Sequence, residues 1–186
     1  MVVEIPRLTG PRVVLRKLKK ANALDVWRNG NNRSVARYSF RPYPYTLEQA
    51  QQFIRGARRG ARNGTRCHLG IELRSRPGVI GVVGLFSIDY QNKNAEIGCS
   101  LGKPYWGQGL MKEAMQVMLG YAFQRLGLRR VYAYISIHNI PPQRLVESLG
   151  FTREGLLRKC RFRKGRFRDY YVYGMLREEF RSRGRR

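Results

Sequence analysis

Acid is scarce in this chain: 12 Asp and Glu stand against 37 Lys and Arg in 186 residues, a formal net charge of +25. A field of that sign attracts polyanions and repels small cations, which sets aside functions built on an acidic surface. Cysteine is scarce as well. Cys67, Cys99 and Cys160 are odd in number, widely spaced and each set in a strand-like context, which excludes a disulfide framework or a cysteine metal cage and suits a reducing compartment. The two histidines, His68 and His138, have no partner at metal-binding spacing, so no metal site is expected. No apolar run approaches the roughly 20 residues a bilayer span needs, and the first residues carry no signal-peptide apolar block; the expectation is a soluble, cytoplasmic protein with no membrane contact. With 42% hydrophobic content, a chain of this length buries one core and forms one domain.

The positive charge is partly patterned. Arg55, Arg58, Arg59 and Arg62 fall at i, i+3, i+4 and i+7 and so stack on one helical face. Arg158, Lys159, Arg161, Arg163, Lys164, Arg166 and Arg168 form a second cluster with no acid in it. Either cluster alone reads as solvated surface; together with the net charge they favour electrostatic contact with RNA or another nucleic-acid-rich partner.

The stretch from Asn94 to Ala114 organises the rest. An alternating segment, Ala95-Glu96-Ile97-Gly98-Cys99-Ser100-Leu101, leads through Gly102-Lys103-Pro104-Tyr105 into Trp106-Gly107-Gln108-Gly109-Leu110-Met111 and a long amphipathic pattern. This is a strand, a tight loop and the N-terminus of a helix, whose unpaired N–H groups and positive dipole end suit an anion. Gly107 and Gly109 remove side chains where a phosphate would approach the backbone. Lys112 lies in the first turn, where a cation opposes the dipole by roughly 0.3 to 1 kcal/mol; a bound polyanion reverses that sign. Two glycines at this spacing fit a plain turn before a surface helix equally well.

The order of strand, W-G-Q-G and helix, with E-I-G before it and an Asn139…Gly150-Phe151 segment after it, resembles the GNAT superfamily of acetyl-CoA-dependent N-acetyltransferases. Within it the chain is similar to the ribosomal-protein (alanine/serine) N-terminal acetyltransferase branch. The resemblance runs from about Leu8 to Leu176. It implies an α/β (α+β) fold: one domain over residues 1–176 with a mixed, mostly antiparallel sheet of about seven strands flanked by helices, a splay between the Glu96 and Tyr134 strands, and a basic tail over 177–186.

Local signals agree along the chain. Arg12 to Leu18 reads as a strand, Ala21 to Arg28 as a short helix, and Asn29 to Tyr45 as a loop without period. In the resembled family that loop walls the acceptor site, with Tyr38, Phe40, Tyr43 and Tyr45 as wall residues or as ordinary packing. Thr46-Leu47-Glu48-Gln49 is a capping box for a helix to about Asn63, its arginine stripe opposite Leu47, Ala50, Phe53 and Ile54. Strands follow at Cys67 to Leu73 and Val79 to Asp89, so four antiparallel strands precede the central helix, which runs from about Gly109 to Leu126. Val131 to Ile137 is a strand after it, Pro141-Pro142 opens a helix to Leu149, and a hairpin closes the chain, turning at Lys164-Gly165. Arg177 to Arg186 reads as a frayed end.

The chemistry the resemblance implies is acyl transfer from acetyl-CoA to an amine. The pyrophosphate of coenzyme A would rest on Trp106, Gly107, Gln108, Gly109, Leu110, Met111 and Lys112. Ile97, Gly98 and Cys99 would line the pantetheine arm in the splay, with the Cys99 main chain near the thioester oxygen. An N–H aimed at that oxygen is worth roughly 3 to 4 kcal/mol in well-studied oxyanion sites. Asn139 either contacts the pantetheine or caps its helix, and Arg144 either reaches a coenzyme phosphate or is a surface arginine. Glu96 is the candidate base, or else the outward partner of an arginine; Asp89, Glu72 and Asp169 are lesser candidates, and His138 a weaker one. Two departures from the family pattern stand out: Pro142 replaces the usual serine, and Val146 stands where many relatives carry the tyrosine that protonates the leaving thiolate. The acceptor expected is a protein N-terminus, on the ribosome in particular. The alternatives are a small amine or lysine, or a nucleic-acid-binding module that holds acetyl-CoA without turnover.

Overall fold

A computed structural model describes residues 7–37, 39 and 41–183. Its strands are β1 (Leu8–Thr9), β2 (Val13–Lys17), β3 (Cys67–Leu73), β4 (Arg76–Asp89), β5 (Asn94–Leu101), β6 (Arg130–Ser136), β7 (Thr152–Arg163) and β8 (Arg166–Leu176). They are hydrogen-bonded in the order β1-β2-β3-β4-β5-β6-β8-β7. The helices are α1 (Ala23–Gly30), α2 (Arg33–Ala36), α3 (Leu47–Arg62), α4 (Leu110–Gly120), α5 (Ile140–Leu149) and α6 (Arg177–Arg183). Two compact bodies divide the chain, one reaching to Ile88 and including Gly98–Met118, the other made of Asp89–Ile97 and the residues from Leu119 on.

In the first body β2 pairs antiparallel with β3, from Val13↔Leu73 to Lys17↔Leu69, and β3 pairs antiparallel with β4. Val13, Val14 and Leu15, like Cys67 to Ile71, are buried without alternation, the mark of strands covered on both faces. α3 starts where the sequence places it: Thr46 Oγ1 accepts from Gln49 N at 3.2 Å and Gln49 Oε1 from Thr46 N at 2.9 Å, a reciprocal cap whose loss costs about 1 kcal/mol. Its buried face is largely alanine, with Ala50, Ala57 and Ala61 beside Ile54, so the helix lies close on Leu18, Val26, Val79 and Val82. Arg55, Arg59 and Arg62 face solvent.

Buried in this body is a histidine the sequence did not single out for packing. His68 on β3 lies edge-on between Phe53 and Phe86, ring centroids 5.4 and 4.5 Å away, and neither ring nitrogen has a hydrogen-bond partner. Burial, helped by Arg66 and Arg41, pushes its pKa down to about 4.

In the second body β5 and β6 run parallel over Asn94↔Arg130, Ala95↔Val131 and Glu96↔Tyr132, and β6 pairs antiparallel with β8 from Arg130↔Leu176 to Ser136↔Tyr170. β7 and β8 form the closing hairpin, where Lys164 and Gly165 both have positive φ, +49° and +78°, as a two-residue turn of this hand requires. The residues after α4 widen into a π turn, with Leu126 N donating to Tyr121 O at 3.1 Å. Tyr173 is fully buried and its hydroxyl donates to Glu147 Oε1 at 2.9 Å.

Four expectations change. Among the described residues the strands number eight, one more than the about seven expected, because Leu8–Thr9 adds a two-residue ladder to β2. The Asn29 to Tyr45 loop holds a helical turn, α2, capped by Asn32, whose side chain accepts from Ser34 N at 2.9 Å and Val35 N. Arg177 to Arg183 is helical rather than frayed, since Glu179 Oε2 accepts from Leu176 N at 2.7 Å. Leu47 is exposed instead of joining the apolar face of α3.

Candidate active site

The first body carries the glycine loop. After β5 a single 3₁₀ turn, Lys103–Tyr105, leads to Trp106, whose Nε1 donates to Leu101 O at 2.8 Å and fixes the loop to the strand it leaves. Gln108 Nε2 donates to Pro104 O at 3.0 Å. Gly107 and Gly109 both hold φ +74°, a left-handed conformation costing an L-residue roughly 1–2 kcal/mol. Leu110 is buried and anchors the start of α4. The first backbone bond of that helix is Glu113 N to Gly109 O at 3.2 Å, so the N–H groups of Leu110, Met111 and Lys112 have no helical partner. Methionine at 111 therefore leaves its amide free.

One residue the sequence reading missed stands beside this loop. Arg12, just before β2, donates from Nη1 to Gln108 O at 3.0 Å and from Nε to Glu113 Oε2 at 3.0 Å. Glu113 Oε1 also accepts from Arg12 N at 2.6 Å and Val13 N at 2.9 Å. Burial pushes the Glu113 carboxyl up, but those amides and the guanidinium outweigh it and hold it below the usual carboxylate range. Pro11, Arg12, Gly109, Lys112, Glu113, Gln116 and Val117 line an open groove of ≈ 470 Å³. Unpartnered amides, two glycines without Cβ and the cations Arg12 and Lys112 make a cradle of the right chemistry for a diphosphate.

Gly98 and Cys99 lie in the same body on β5. A Cβ on Gly98 would stand 2.9 Å from Phe86 Cε2, so packing also requires that glycine. Cys99 is an exposed residue within a central strand. Its thiol turns to Met115, Sγ to Sδ 3.9 Å, and burial pushes it up to about 12. It is thus a neutral thiol near pH 7, which leaves its main chain, not its sulfur, as the group with a role to play.

The loop aromatics fare differently. Tyr45 is buried in the core with Ala50 and Ile54, its carbonyl accepting from Trp27 Nε1 at 2.8 Å, so ordinary packing is its role. Tyr43 is exposed. Tyr38 and Phe40 lie outside the described residues.

In the second body the β5–β6 ladder stops at Glu96, although β6 continues to Ser136. Glu96 meets Arg161 of β7, whose Nη2 lies 3.3 and 3.4 Å from the two carboxylate oxygens. The Arg161 guanidinium also lies 4.5 Å from the Tyr134 ring centre and 5.5 Å from that of Tyr170, favourable contacts for a cation. Of the two expectations for Glu96, the arginine partnership is observed. Tyr132 and Tyr134 stand 5.5 Å apart, centroid to centroid; burial first, then Tyr134 and Glu96, raise the Tyr132 hydroxyl.

The remaining expected residues sit on or near α5. Asn139 precedes the helix without a side-chain cap, so the capping role is corrected; its N–H donates to Ser136 O at 2.9 Å instead. Gln143 holds this end of β6, donating to Ser136 O at 3.1 Å and Ile137 O at 3.0 Å. Arg144 and His138 are exposed, and Val146 is buried. The lesser base candidates are occupied: Glu72 by Arg16 at 2.7 Å, Asp89 by Asn92 N at 2.8 Å and Asp169 by Lys159 N at 2.7 Å. Among the described residues no group of His, Cys, Asp and Glu is placed to hold a metal ion.

Residues 12–152 match the acetyltransferase (GNAT) domain family. The chain is 34% identical over 170 residues to the uncharacterized N-acetyltransferase p20 of Bacillus licheniformis, covering 91% of this chain and 95% of that protein. It superposes on the crystal structure of a GNAT-family acetyltransferase from Bacillus anthracis with a TM-score of 0.83 at 25% identity, over 94% of this chain and 100% of that one. Two relatives are named for their acceptors. One is the spermidine N(1)-acetyltransferase of Vibrio cholerae, 25% identical over 85% of this chain and 89% of that protein. The other is the ribosomal-protein-serine acetyltransferase of Escherichia coli, 30% identical over 53% of this chain and 55% of that protein.

Proposed function

The chain belongs to the GNAT acetyltransferase family and is an acetyl-CoA-dependent N-acetyltransferase, and we propose that its acceptor is the α-amine of a protein N-terminus, that of a ribosomal protein in particular. The observation that carries this reading is the Glu96–Arg161 pair. A polyamine acceptor needs spare negative charge, and here the acid on the strand expected to border the thioester already has a guanidinium on it. Glu147, Glu154, Asp169 and Glu179 likewise accept hydrogen bonds within the protein. With a net charge of +25, a small polycation is repelled, whereas a particle coated in RNA attracts the enzyme and brings a protein N-terminus with it. The name of the Escherichia coli relative points the same way and that of the Vibrio cholerae relative the other way; the charge balance supports the first.

Acetyl-CoA supplies a thioester carbonyl open to attack by an amine. The amides and glycines of the Trp106–Lys112 segment, with Arg12 beside them, would hold its diphosphate, and main-chain groups of Ile97, Gly98 and Cys99 would orient the arm. Asn139 and Arg144 would complete the coenzyme contacts. The ammonium form of the acceptor must lose a proton, and an α-amine, with a pKa of about 8 against about 10.4 for lysine, gives it up more readily at neutral pH. Glu96 would receive that proton, directly or through water, while Arg161 keeps the carboxylate in position. No tyrosine stands at Val146 to protonate the departing thiolate, which at a pKa near 8.5 is a fair leaving group unaided.

Thiol release measured with Ala- and Ser-leading peptides, N-blocked lysine peptides and spermidine tests the acceptor. Release with the free N-termini supports the reading. Release only with lysine peptides or spermidine would replace it by a lysine or small-amine acetyltransferase, and none with any acceptor by a coenzyme-binding module without turnover. Glu96→Gln should lower kcat at neutral pH, with the deficit shrinking as rising pH deprotonates the acceptor amine in solution; an unchanged kcat at neutral pH removes Glu96 as the base.

A further inference from the structure

The last β6–β8 pair is Ser136↔Tyr170, and β7 is the end strand of the sheet. From Arg168 back to Arg158, therefore, β7 and β8 run on as a two-stranded ribbon with no third strand paired to them among the described residues. Such a ribbon gains little stability of its own, and its composition makes matters worse. Phe162 pairs across the strands with Phe167, while Arg161 stands opposite Arg168 and Arg163 opposite Arg166. Like charges directly opposite destabilise an antiparallel pair. Alternation puts the phenylalanines on one face and these arginines on the other.

The phenyl rings are bare. Phe162 is 57% and Phe167 62% exposed, and they meet with centroids 5.2 Å apart and planes at 65°. Along the same ribbon Arg158, Lys159, Lys164 and Arg166 are exposed. The one acid within residues 158–169, Asp169, is taken by Lys159 N at 2.7 Å, where Lys159 adopts φ +48° in a bulge between Leu157 and Arg161. Among the described residues neither Arg166 nor Arg168 has an acidic partner at ion-pair distance.

We propose that this ribbon, residues 158–169, is a docking arm for single-stranded RNA, in which Phe162 and Phe167 stack an unpaired base and Arg166 and Arg168, on the opposite face, hold the flanking phosphates. Three features select that partner. A polyanion supplies the acidic partner that Arg166 and Arg168 lack. Exposed rings without hydrogen-bonding groups suit the faces of bases, which a duplex hides and a single strand offers. Aromatic and basic groups lie on opposite faces, so a flat anionic membrane meets one set or the other, whereas a flexible strand wraps the edge and meets both. A second copy of the chain, at +25, is repelled. The inference does not depend on the acceptor: the arm would bind RNA without coenzyme or amine.

The test is fluorescence anisotropy of labelled oligouridine with the full chain, free of acetyl-CoA, between about 50 and about 200 mM salt. Phe162→Leu with Phe167→Leu keeps the apolar surface and the fold but removes the rings; affinity should fall about tenfold with the salt slope unchanged. Arg166→Gln with Arg168→Gln should lower the slope of log affinity against log salt by about 1.4. Neither double variant should lower the parent's melting temperature or its thiol release with a short peptide. The proposal is overturned if oligouridine does not bind, if both variants bind it as the parent does, or if duplex RNA binds more tightly than single-stranded. Binding to phosphatidylserine vesicles that persists in the leucine pair, without RNA binding, would identify a membrane contact instead.

Discussion

Replacing Gly109 isolates the proposed grip on coenzyme from the rest of the fold. At φ +74° an alanine is strained by roughly 1–2 kcal/mol, and its new Cβ would stand 3.4 Å from Arg12 Nη2, the movable end of a side chain. Strain is therefore the principal cost. If it falls on the loop, the binding-competent conformation drops about 5- to 30-fold, and KM for acetyl-CoA rises by that factor while kcat at saturation holds. The melting temperature should fall by only a few degrees, at about 2–4 °C per kcal/mol for a chain of this size. Gly107→Ala carries the same φ with nothing within 4 Å of the added carbon and calibrates strain alone. Asparagine separates strain from access, because it tolerates the left-handed region yet is larger than alanine. Initial rates of thiol release against acetyl-CoA concentration read the outcome. Gly107→Asn should recover towards the parent, whereas Gly109→Asn should bind no better than Gly109→Ala. A parental KM in Gly109→Asn would refute the idea that the backbone there must lie bare against a phosphate.

Two further outcomes follow from buried titratable groups. His68 has its pKa lowered from 6.5 to about 4, so the unfolded chain binds the proton more tightly; the neutral ring's contribution is complete above pH 6.5 and is lost as pH falls towards 4, about 3 kcal/mol across that window. Denaturant unfolding at pH 7, 5 and 4 should show the loss, and His68→Leu, which removes two nitrogens that have no partner, should flatten it; an identical pH dependence in the variant would assign the effect elsewhere. Cys67, buried and pushed up to about 12, and Cys99, exposed as a residue but with its thiol turned to Met115 and pushed up to about 12, should react with iodoacetamide far more slowly at pH 7.5 than Cys160, which is likewise exposed. Mass spectrometry of partially labelled protein that found Cys99 modified first would mean that its thiol is not held as described.

What the sequence made legible was local. The Thr46–Gln49 box and the Lys164–Gly165 turn are each complete within four residues, so their chemistry names their conformation. The W-G-Q-G loop is legible for the same reason. Glu113 and Arg12 were not, because a carboxylate that pins the start of β2 to the first turn of α4 does so across about a hundred residues, and no pattern in either segment announces the other. Arg161 was one basic residue among seven until the bulge before it, with two extra residues between Leu157 and Arg161, brought it to Glu96. Tyr45 shows the opposite difficulty: a loop aromatic next to prolines reads as a site wall, and only the packing of Ala50 and Ile54 against it marks it as core. The α6 start was within reach, since Glu178 and Glu179 in a first turn are ordinary helix-opening residues, but the surrounding arginines masked them.

The acids of this chain are few, and the fold uses them where they bear on backbone. Asp25 accepts from Val79 N, Glu72 from Gly78 N, Glu113 from Arg12 N and Val13 N, Asp169 from Lys159 N, and Glu179 from Leu176 N. Each fixes a strand edge, a bulge or a helix start, and each is a charge-assisted bond of short range. The positive excess is therefore not a surplus awaiting internal partners; it remains on the surface because the structure has already used the acids that would neutralise it. Ionic strength then acts on the two sets differently. Bonds such as that of Glu113 to Val13 N, buried, are weakly screened, while the exposed arginines of α3 and of the β7–β8 ribbon are screened within a Debye length of about 8 Å at physiological salt. Salt should thus loosen the hold of a polyanion on this enzyme long before it loosens the fold, so an acceptor carried by RNA, as proposed, would be captured and released by a field whose screening leaves the fold intact.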